Sequence, residues 1–232
     1  MIEEKTRIET TKKHIELCKK EQEVQHFFRW DIIENAKLVG AHHHPQLRPI
    51  AEIPPIKRLV TLNNAPYEEH PEECGLCFYT KDSVIERIWN NRDKYVHLVQ
   101  RFPLIIGLDF SILCNMYYPQ QVYNCWRNYV MTYWLQQIHP KVVPNAGYGD
   151  TDTFPWILDG MPMDSWIAVT SQGCFDNYIL KHSFLNGLHE LVRQKHPKGI
   201  IIYGIFPNDW IDKFPIPIIV FPSYSKHRWG GK

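Results

Sequence analysis

Between residues 58 and 222 short apolar runs alternate with longer stretches of helical periodicity. RLVTLNN (58–64), GLCFYT (75–80), PLIIGLD (103–109), KVVPNAG (141–147), SWIAVTSQG (165–173), GIIIYGI (199–205) and IPIIVFP (216–222) each read as a strand. Residues 83–100 place Val84, Ile85, Ile88, Trp89, Tyr95, Val96 and Val99 on one side of a helix. Residues 119–138 and 177–196 are helical in the same way, the second through Ile179, Leu180, Phe184, Leu188, Leu191 and Val192. Asp82 or Ser83 stands where the first of these helices needs an N-cap, and Glu86 follows Ser83 at capping-box distance.

Strand followed by helix, repeated, predicts an α/β fold: a mostly parallel sheet of about seven strands joined by right-handed crossover helices. Parallel strands are buried on both faces, which is why the runs are continuously apolar, and their ligands bind at the carboxyl ends. Polar residues should therefore collect after each run. Asp82, Asp109 with Ser111, Asn145 with Tyr148 and Asp150, Ser171 with Gln172, Tyr203 and Ser223 do so. Such a ring favours barrel-like closure over an open doubly wound sheet.

The first 40 residues are rich in Lys and Glu, with Ile8, Ile15, Leu17, Val24 and Phe27 only loosely periodic. From His42 the chain carries His42, His43 and His44 and then Pro45, Pro49, Pro54 and Pro55. This predicts a helical extension and a Pro/His-rich linker over 1–57, followed by one α/β domain over 58–232. The length of 232 residues with 44% hydrophobic content suffices for one sizeable core.

Charge narrows the function classes. Lys and Arg number 26 against 25 Asp and Glu, so the net charge of +1 supplies no global field for nucleic acid or an anionic membrane. No apolar run is long enough to span a bilayer and the N-terminus is charged, which predicts a cytoplasmic protein without a membrane partner. Six irregularly spaced cysteines predict reduced thiols, mostly buried. Neither a G-x-G-x-x-G nor a P-loop is present, which disfavours the usual nucleotide cofactors.

Asp109 with Ser111 is the leading chemical feature, because a carboxylate at the end of a buried strand must find a partner. It can act as general base, hold a metal ion or pair with Arg127. Asn124 and Arg127, three apart, share a helix face where the guanidinium meets an anion, either Asp109 or a ligand. The expected catalytic set is Asp109, Ser111 and Arg127. The expected ligand-binding set is Asn124, Asn145, Tyr148, Ser171, Gly173 and Tyr203. Asp109 with Asp150 is the expected oxygen-ligand pair for Mg²⁺ or Mn²⁺. His70, Cys74 and Cys77 with the triple His furnish zinc-type donors, against which stands the single CxxC. Trp126, Tyr129, Tyr133 and Trp134 read as core, and the basic, aromatic close SYSKHRWGGK (223–232) reads as a terminal tail.

LNNA (62–65), IERIWNNRDKY (85–95), LDFS (108–111), Asn124 with Arg127, VVP followed by YGD (142–150), LDG (158–160), VTSQG (169–173) and IIYG (201–204) stand in an order and spacing that resemble domain of unknown function 4417. This is a family of uncharacterised proteins from bacteria, archaea and their phages. The resemblance covers roughly 58–225. It implies a phage or mobile-element setting and brings no activity with it. Two function classes follow. One is an enzyme acting on a phosphorylated or nucleic-acid-derived substrate in a polar pocket at the strand ends. The other is a non-catalytic protein that sequesters a host protein or a small signalling molecule in the same pocket.

Overall fold

The computed structural model of the chain describes residue 16 and residues 18–223. Ile8, Ile15, Leu17 and the basic segment after Ser223 lie outside the described residues. The chain divides into two compact units, 1–36 and 37–232. The first contains helical residues up to 27 and a short turn of helix, Trp30–Ile33.

The second unit is mixed α/β. Each of the seven apolar runs contains a strand. These are β3 (Arg58–Thr61), β4 (Cys74–Cys77), β5 (Leu104–Ile106), β6 (Val142–Val143), β7 (Trp166–Thr170), β8 (Gly199–Tyr203) and β9 (Ile218–Phe221), preceded by a short antiparallel pair, β1 (Leu38–Val39) and β2 (His44–Pro45). Every pairing among β3 to β9 is parallel. They form a four-stranded sheet, β3-β4-β5-β6, and a three-stranded sheet, β7-β8-β9. The expected single sheet is therefore divided. One bridge, Asn145 to Ala168, joins the halves, with Ala146 N–H donating to Ala168 O and Ala168 N–H to Pro144 O.

No ladder among the described residues joins β9 to β3, so the barrel is not closed. The order is also sequential, without the reversal that defines a doubly wound sheet. Nonetheless one core takes a side chain from every strand: Leu59, Cys77, Ile106, Val143, Ala168, Ile201 and Phe221. The period of two sends the alternate residues Ile167, Val169, Ile200 and Ile202 to a second core against the helices. Both faces are thus apolar, as the runs require.

The crossover helices are α1 (Asp82–Asn91), continued by a 3₁₀ turn Arg92–Tyr95 and α2 (Val96–Val99), then α3 (Tyr118–Ile138) and α4 (Tyr178–Lys195); α5 (Asn208–Ile211) is a single turn. Asn177 caps α4 by accepting from Leu180 N–H. The expected capping box on α1 does not form. Lys81 is the N-cap and makes no side-chain cap, because the Asp82 and Glu86 carboxylates both serve distant partners.

The Pro/His-rich segment is packed rather than a linker. Ile50 O accepts from Trp166 N–H and Ile50 N–H donates to Ser165 Oγ, while Ile50, Ile53 and Ile56 enter the core shared by the strands. Trp166 begins β7, so this stretch crosses the amino-terminal end of the interior. His44 is buried and stacked on Tyr129 at 4.5 Å, and burial with His42 nearby lowers its pKa to about 4. An imidazole kept neutral among rings is core packing. Cys74 donates to His70 O, and among the described residues no group of three His, Cys, Asp or Glu comes together as a metal site requires. None of the six cysteines is in a disulfide; Cys74, Cys77 and Cys125 are buried and Cys114 is exposed. No helix among the described residues is long and apolar enough to cross a membrane.

A chain beginning at Lys37 is expected to unfold cooperatively in urea. One beginning at Lys57 loses buried Leu47 and Ile50, each contributing about 2 kcal/mol, and should show a lower midpoint or no transition. Equal midpoints for the two truncations would return the 37–56 segment to the status of a linker.

Candidate functional site

The site is assembled where regular backbone stops. Pairing of β6 with β5 ends at Val143, and Pro144, whose carbonyl accepts from Ala168 N–H, has no N–H to give to β7, so β6 meets β7 in a single bridge, Asn145 with Ala168. Beyond it the chain diverges, and a cavity of about 620 Å³ opens at the carboxyl ends of β4 to β7. Tyr79 and Thr80 follow β4, Asp109 and Ser111–Asn115 follow β5, Ala146–Gly149 follow β6, Thr170 and Gln172–Cys174 close β7, and Leu180, Ser183 and Phe184 come from α4.

Asp109 lies inside this cavity. Its Oδ1 accepts from Asn145 Nδ2 at 2.8 Å. The same amide donates to Leu108 O at 3.0 Å, and Asn145 Oδ1 accepts the Tyr79 hydroxyl at 2.8 Å. Tyr79 is held in turn by stacking on Tyr203, centroids 4.9 Å apart. Desolvation is the main reason why the Asp109 pKa is pushed up from 3.8 to about 7; the Asn145 hydrogen bond lowers it and the Asp82 charge raises it. Asp82 accepts from both the N–H and the hydroxyl of Ser111, at 3.1 and 2.9 Å.

The loop carrying Asp109 has no ladder of its own. One face of α3 supplies its hydrogen bonds at helical spacing. Thr132 Oγ1 accepts from Leu108 N–H, and Asn128 accepts from Phe110 N–H and donates to Phe110 O. Asn124 donates to Ser111 O, and Gln121 to Leu113 O. All four side chains are buried, so α3 turns an amide stripe, and not an apolar one, toward its neighbour.

Arg127 is not a partner of Asp109. Its Nη1 donates to Glu86 at 2.8 Å and its Nη2 to Asn124 Oδ1 at 2.6 Å, with the guanidinium 3.7 Å above the Phe110 ring and 4.8 Å from that of Tyr123. The three-residue spacing placed Arg127 and Asn124 on one face correctly, but that face meets α1 and the back of the loop. Asn124 is likewise committed to backbone.

Of the other expected residues, Ser111, Tyr148 and Gly173 line the cavity, and Asn145 reaches it through Asp109. Ser171 is turned away, donating to Ile205 O at 2.6 Å and accepting from Ile205 N–H. Tyr203 stands behind Tyr79. Asp150 is outside the lining, so the Asp109–Asp150 pair for a divalent cation is not brought together there. Sequence reasoning missed Tyr79, Cys114 and Cys174. Tyr79 was recognisable in principle as the residue two beyond Cys77 at a strand end, whereas nothing in the pattern marks the two thiols.

Two predictions rest on this geometry. Asn128→Leu leaves both polar groups of Phe110 buried and unpaired and should cost about 3 kcal/mol, against about 1 kcal/mol for Arg127→Met, whose partner Glu86 is half exposed. Denaturant midpoints in the reverse order would remove the amide ladder from its role. The second concerns pH. The Asp109 carboxyl keeps its proton to about pH 7 when folded and loses it near 3.8 when unfolded. Its contribution to stability is thus fully present below pH 3.8 and is lost as pH rises through 7. Asp109→Asn, which keeps an acceptor for Asn145, should be more stable than the parent at pH 8, on the order of a few kcal/mol, with the gap closing toward pH 4. A gap independent of pH would show that Asp109 titrates normally.

A family model described as Domain of unknown function (DUF4417) matches residues 36–222, a span that starts at the division between the two units and ends one residue after β9. It begins earlier than the resemblance in sequence motifs and takes in the packed Pro/His-rich segment. The Gene 1 protein of Mycobacterium phage L5 is 29% identical over 193 residues, 82% of this chain and 82% of its own. The Gene 1 protein of Mycobacterium phage D29 is also 29% identical over 193 residues, covering 82% of this chain and 70% of its own. No solved structure matches. The chain therefore belongs to the family of uncharacterised proteins described as Domain of unknown function (DUF4417), with relatives in mycobacteriophages.

Proposed function

We propose that the cavity at the carboxyl ends of β4 to β7 is the active site of a phage-type enzyme that acts on a small molecule, with Asp109 as its general acid–base group. The observation that carries this reading is a carboxyl inside a 620 Å³ cavity whose pKa is pushed to about 7. A group poised near neutrality both takes and returns a proton, and perturbed carboxyls of this kind concentrate at functional sites. One oxygen of Asp109 is anchored by Asn145, which fixes the direction in which the other faces the cavity. Ser111, held by Asp82, and Tyr148, whose hydroxyl donates to Phe184 O, form neighbouring walls. A nucleic-acid-derived substrate fits this reading through its uncharged base. Arg127 holds no phosphate in this reading, because it stands outside the cavity lining with its Nη groups engaged by Glu86 and Asn124.

A second reading, a receptor that sequesters a partner at the same mouth, draws on exposed apolar residues there. Leu113 is 54% exposed and Ile179, beside the cavity residue Leu180, is 77% exposed.

Incubation of the parent and Asp109→Asn with a nucleoside and metabolite panel, followed by mass spectrometry, separates the two. The enzyme reading expects turnover with an inflection near pH 7 and a loss of about 100-fold or more in the variant, the usual contribution of acid–base catalysis. Equal turnover by both proteins would sink Asp109 as the acid–base group. Retention of an unchanged compound would favour the receptor.

A further inference from the structure

The charge around the cavity is one-sided. Among the described residues that line it there is no Lys, Arg or His, and its only carboxyl is Asp109. A second carboxylate, Asp82, lies close enough to raise the Asp109 pKa. A phosphate ester brought into this space meets negative charge without a counter-ion among the lining residues, and such a juxtaposition opposes binding. A positively charged ligand meets the opposite situation. Asp109 Oδ1 is occupied by Asn145, and no donor among the described residues takes Oδ2. Tyr79, Tyr148 and Phe184 line the same walls, and aromatic rings are the apolar side chains that attract a cation.

We propose that the cavity binds a small organic cation, a protonated amine or a guanidine carried on a ring-sized body, with Asp109 as its counter-ion. This rests on the reading of the cavity as the functional site and adds the class of its ligand. A volume of about 620 Å³ accommodates a ring and its substituents. The cation supplies the opposite charge that the Asp109 carboxylate does not meet among the described residues lining the cavity.

Binding should then be linked to pH through Asp109. The charge that acts on it is Asp82 at the start of α1, and the titratable groups that surround it are Cys77 from β4, Tyr79 after it, Cys114 after β5, Tyr148 after β6 and Cys174 after β7. Burial pushes the thiols of Cys77 and Cys174 and the phenol of Tyr79 upward, so all three stay neutral near pH 7. With half-ionisation of Asp109 near pH 7, the fraction in the carboxylate form changes about tenfold between pH 8 and pH 6.

The test uses the full chain and three probes of one shape and different charge: benzylamine, benzyl alcohol and benzyl phosphate, titrated calorimetrically at pH 8 and pH 6. Benzylamine is expected to bind at pH 8, about tenfold more weakly at pH 6, and to lose its advantage over benzyl alcohol in Asp109→Asn. Benzyl alcohol should bind more weakly and without pH dependence, and benzyl phosphate should not bind. The pH comparison on the parent needs no variant, so it stands even if Asp109→Asn folds poorly. Benzyl phosphate matching or exceeding benzylamine, benzylamine without pH dependence, or no binding of benzylamine at all would overturn the proposal. An Asp109 resonance that titrates near pH 7 by carbon NMR in any of those cases would leave the acid–base reading standing while the ligand class falls. A resonance titrating near the ordinary value would remove both.

Discussion

The row of amides on one face of α3 is the interaction on which the site depends. A loop that leaves a parallel sheet loses its ladder, and its backbone groups need other partners if the loop is to stay buried. Gln121, Asn124, Asn128 and Thr132 provide them in register with the helix, from Leu113 back to Leu108. Because α3 is itself fixed through Cys125 and Tyr129 against the core beneath α4 and β7, the loop inherits the rigidity of regular structure without belonging to any. That rigidity carries Asp109 into the cavity. An apolar stripe on α3 would stabilise the contact non-directionally and leave the orientation of residues 108–113 unspecified.

Asp109 is then a charge placed against the interest of the fold. Its protonated form is what the desolvated surroundings favour, and the charge that acts on it, Asp82, is of the same sign. Arg127 would have cancelled that penalty, yet the chain spends its guanidinium on Glu86, Asn124 and the face of Phe110 instead. The ring of Phe110 lies next to Asp109 in sequence, so Arg127 supports the loop from behind without neutralising its carboxyl. The fold thus sets an unneutralised carboxyl and a braced ring at neighbouring positions, Asp109 and Phe110.

The strands and long helices were legible because burial on both faces leaves continuous apolar runs, and helical packing leaves a 3.6-residue period in residues such as Phe184, Leu188 and Leu191. The carboxyl ends were legible for the same reason, since polar residues can stand only where the runs stop. What spacing could not convey is which surface meets which. Asn124 and Arg127 were placed on one face, but whether that face met Asp109 or α1 depends on the crossing of two helices. The capping box at Ser83 and Glu86 was locally sound and lost to tertiary partners, Asp82 to Ser111 and Glu86 to Arg127. The prolines of 45–55 correctly implied extended chain. They hid the fact that Ile50, Ile53 and Ile56 turn that extended chain into the floor of the core.

Pro144 accounts for the position of the cavity within this framework. Lys141 and Val143 face β5 and Pro144 faces β7, so a residue with an N–H at 144 could add one more hydrogen bond between β6 and β7, where the two sheets part. Proline withholds that donor while its carbonyl still binds Ala168, so β6 and β7 are joined by one bridge and not by a ladder. Asn145 follows at once, and its side-chain amide takes up the Leu108 carbonyl that lies beyond the end of the ladder. The same amide nitrogen reaches Asp109, and its oxygen fixes the Tyr79 hydroxyl. The break in the sheet and the organisation of the site thus come from two consecutive residues. Pro144 withholds a backbone donor on the β7 side, and Asn145 supplies a side-chain donor on the β5 side that also holds the carboxyl.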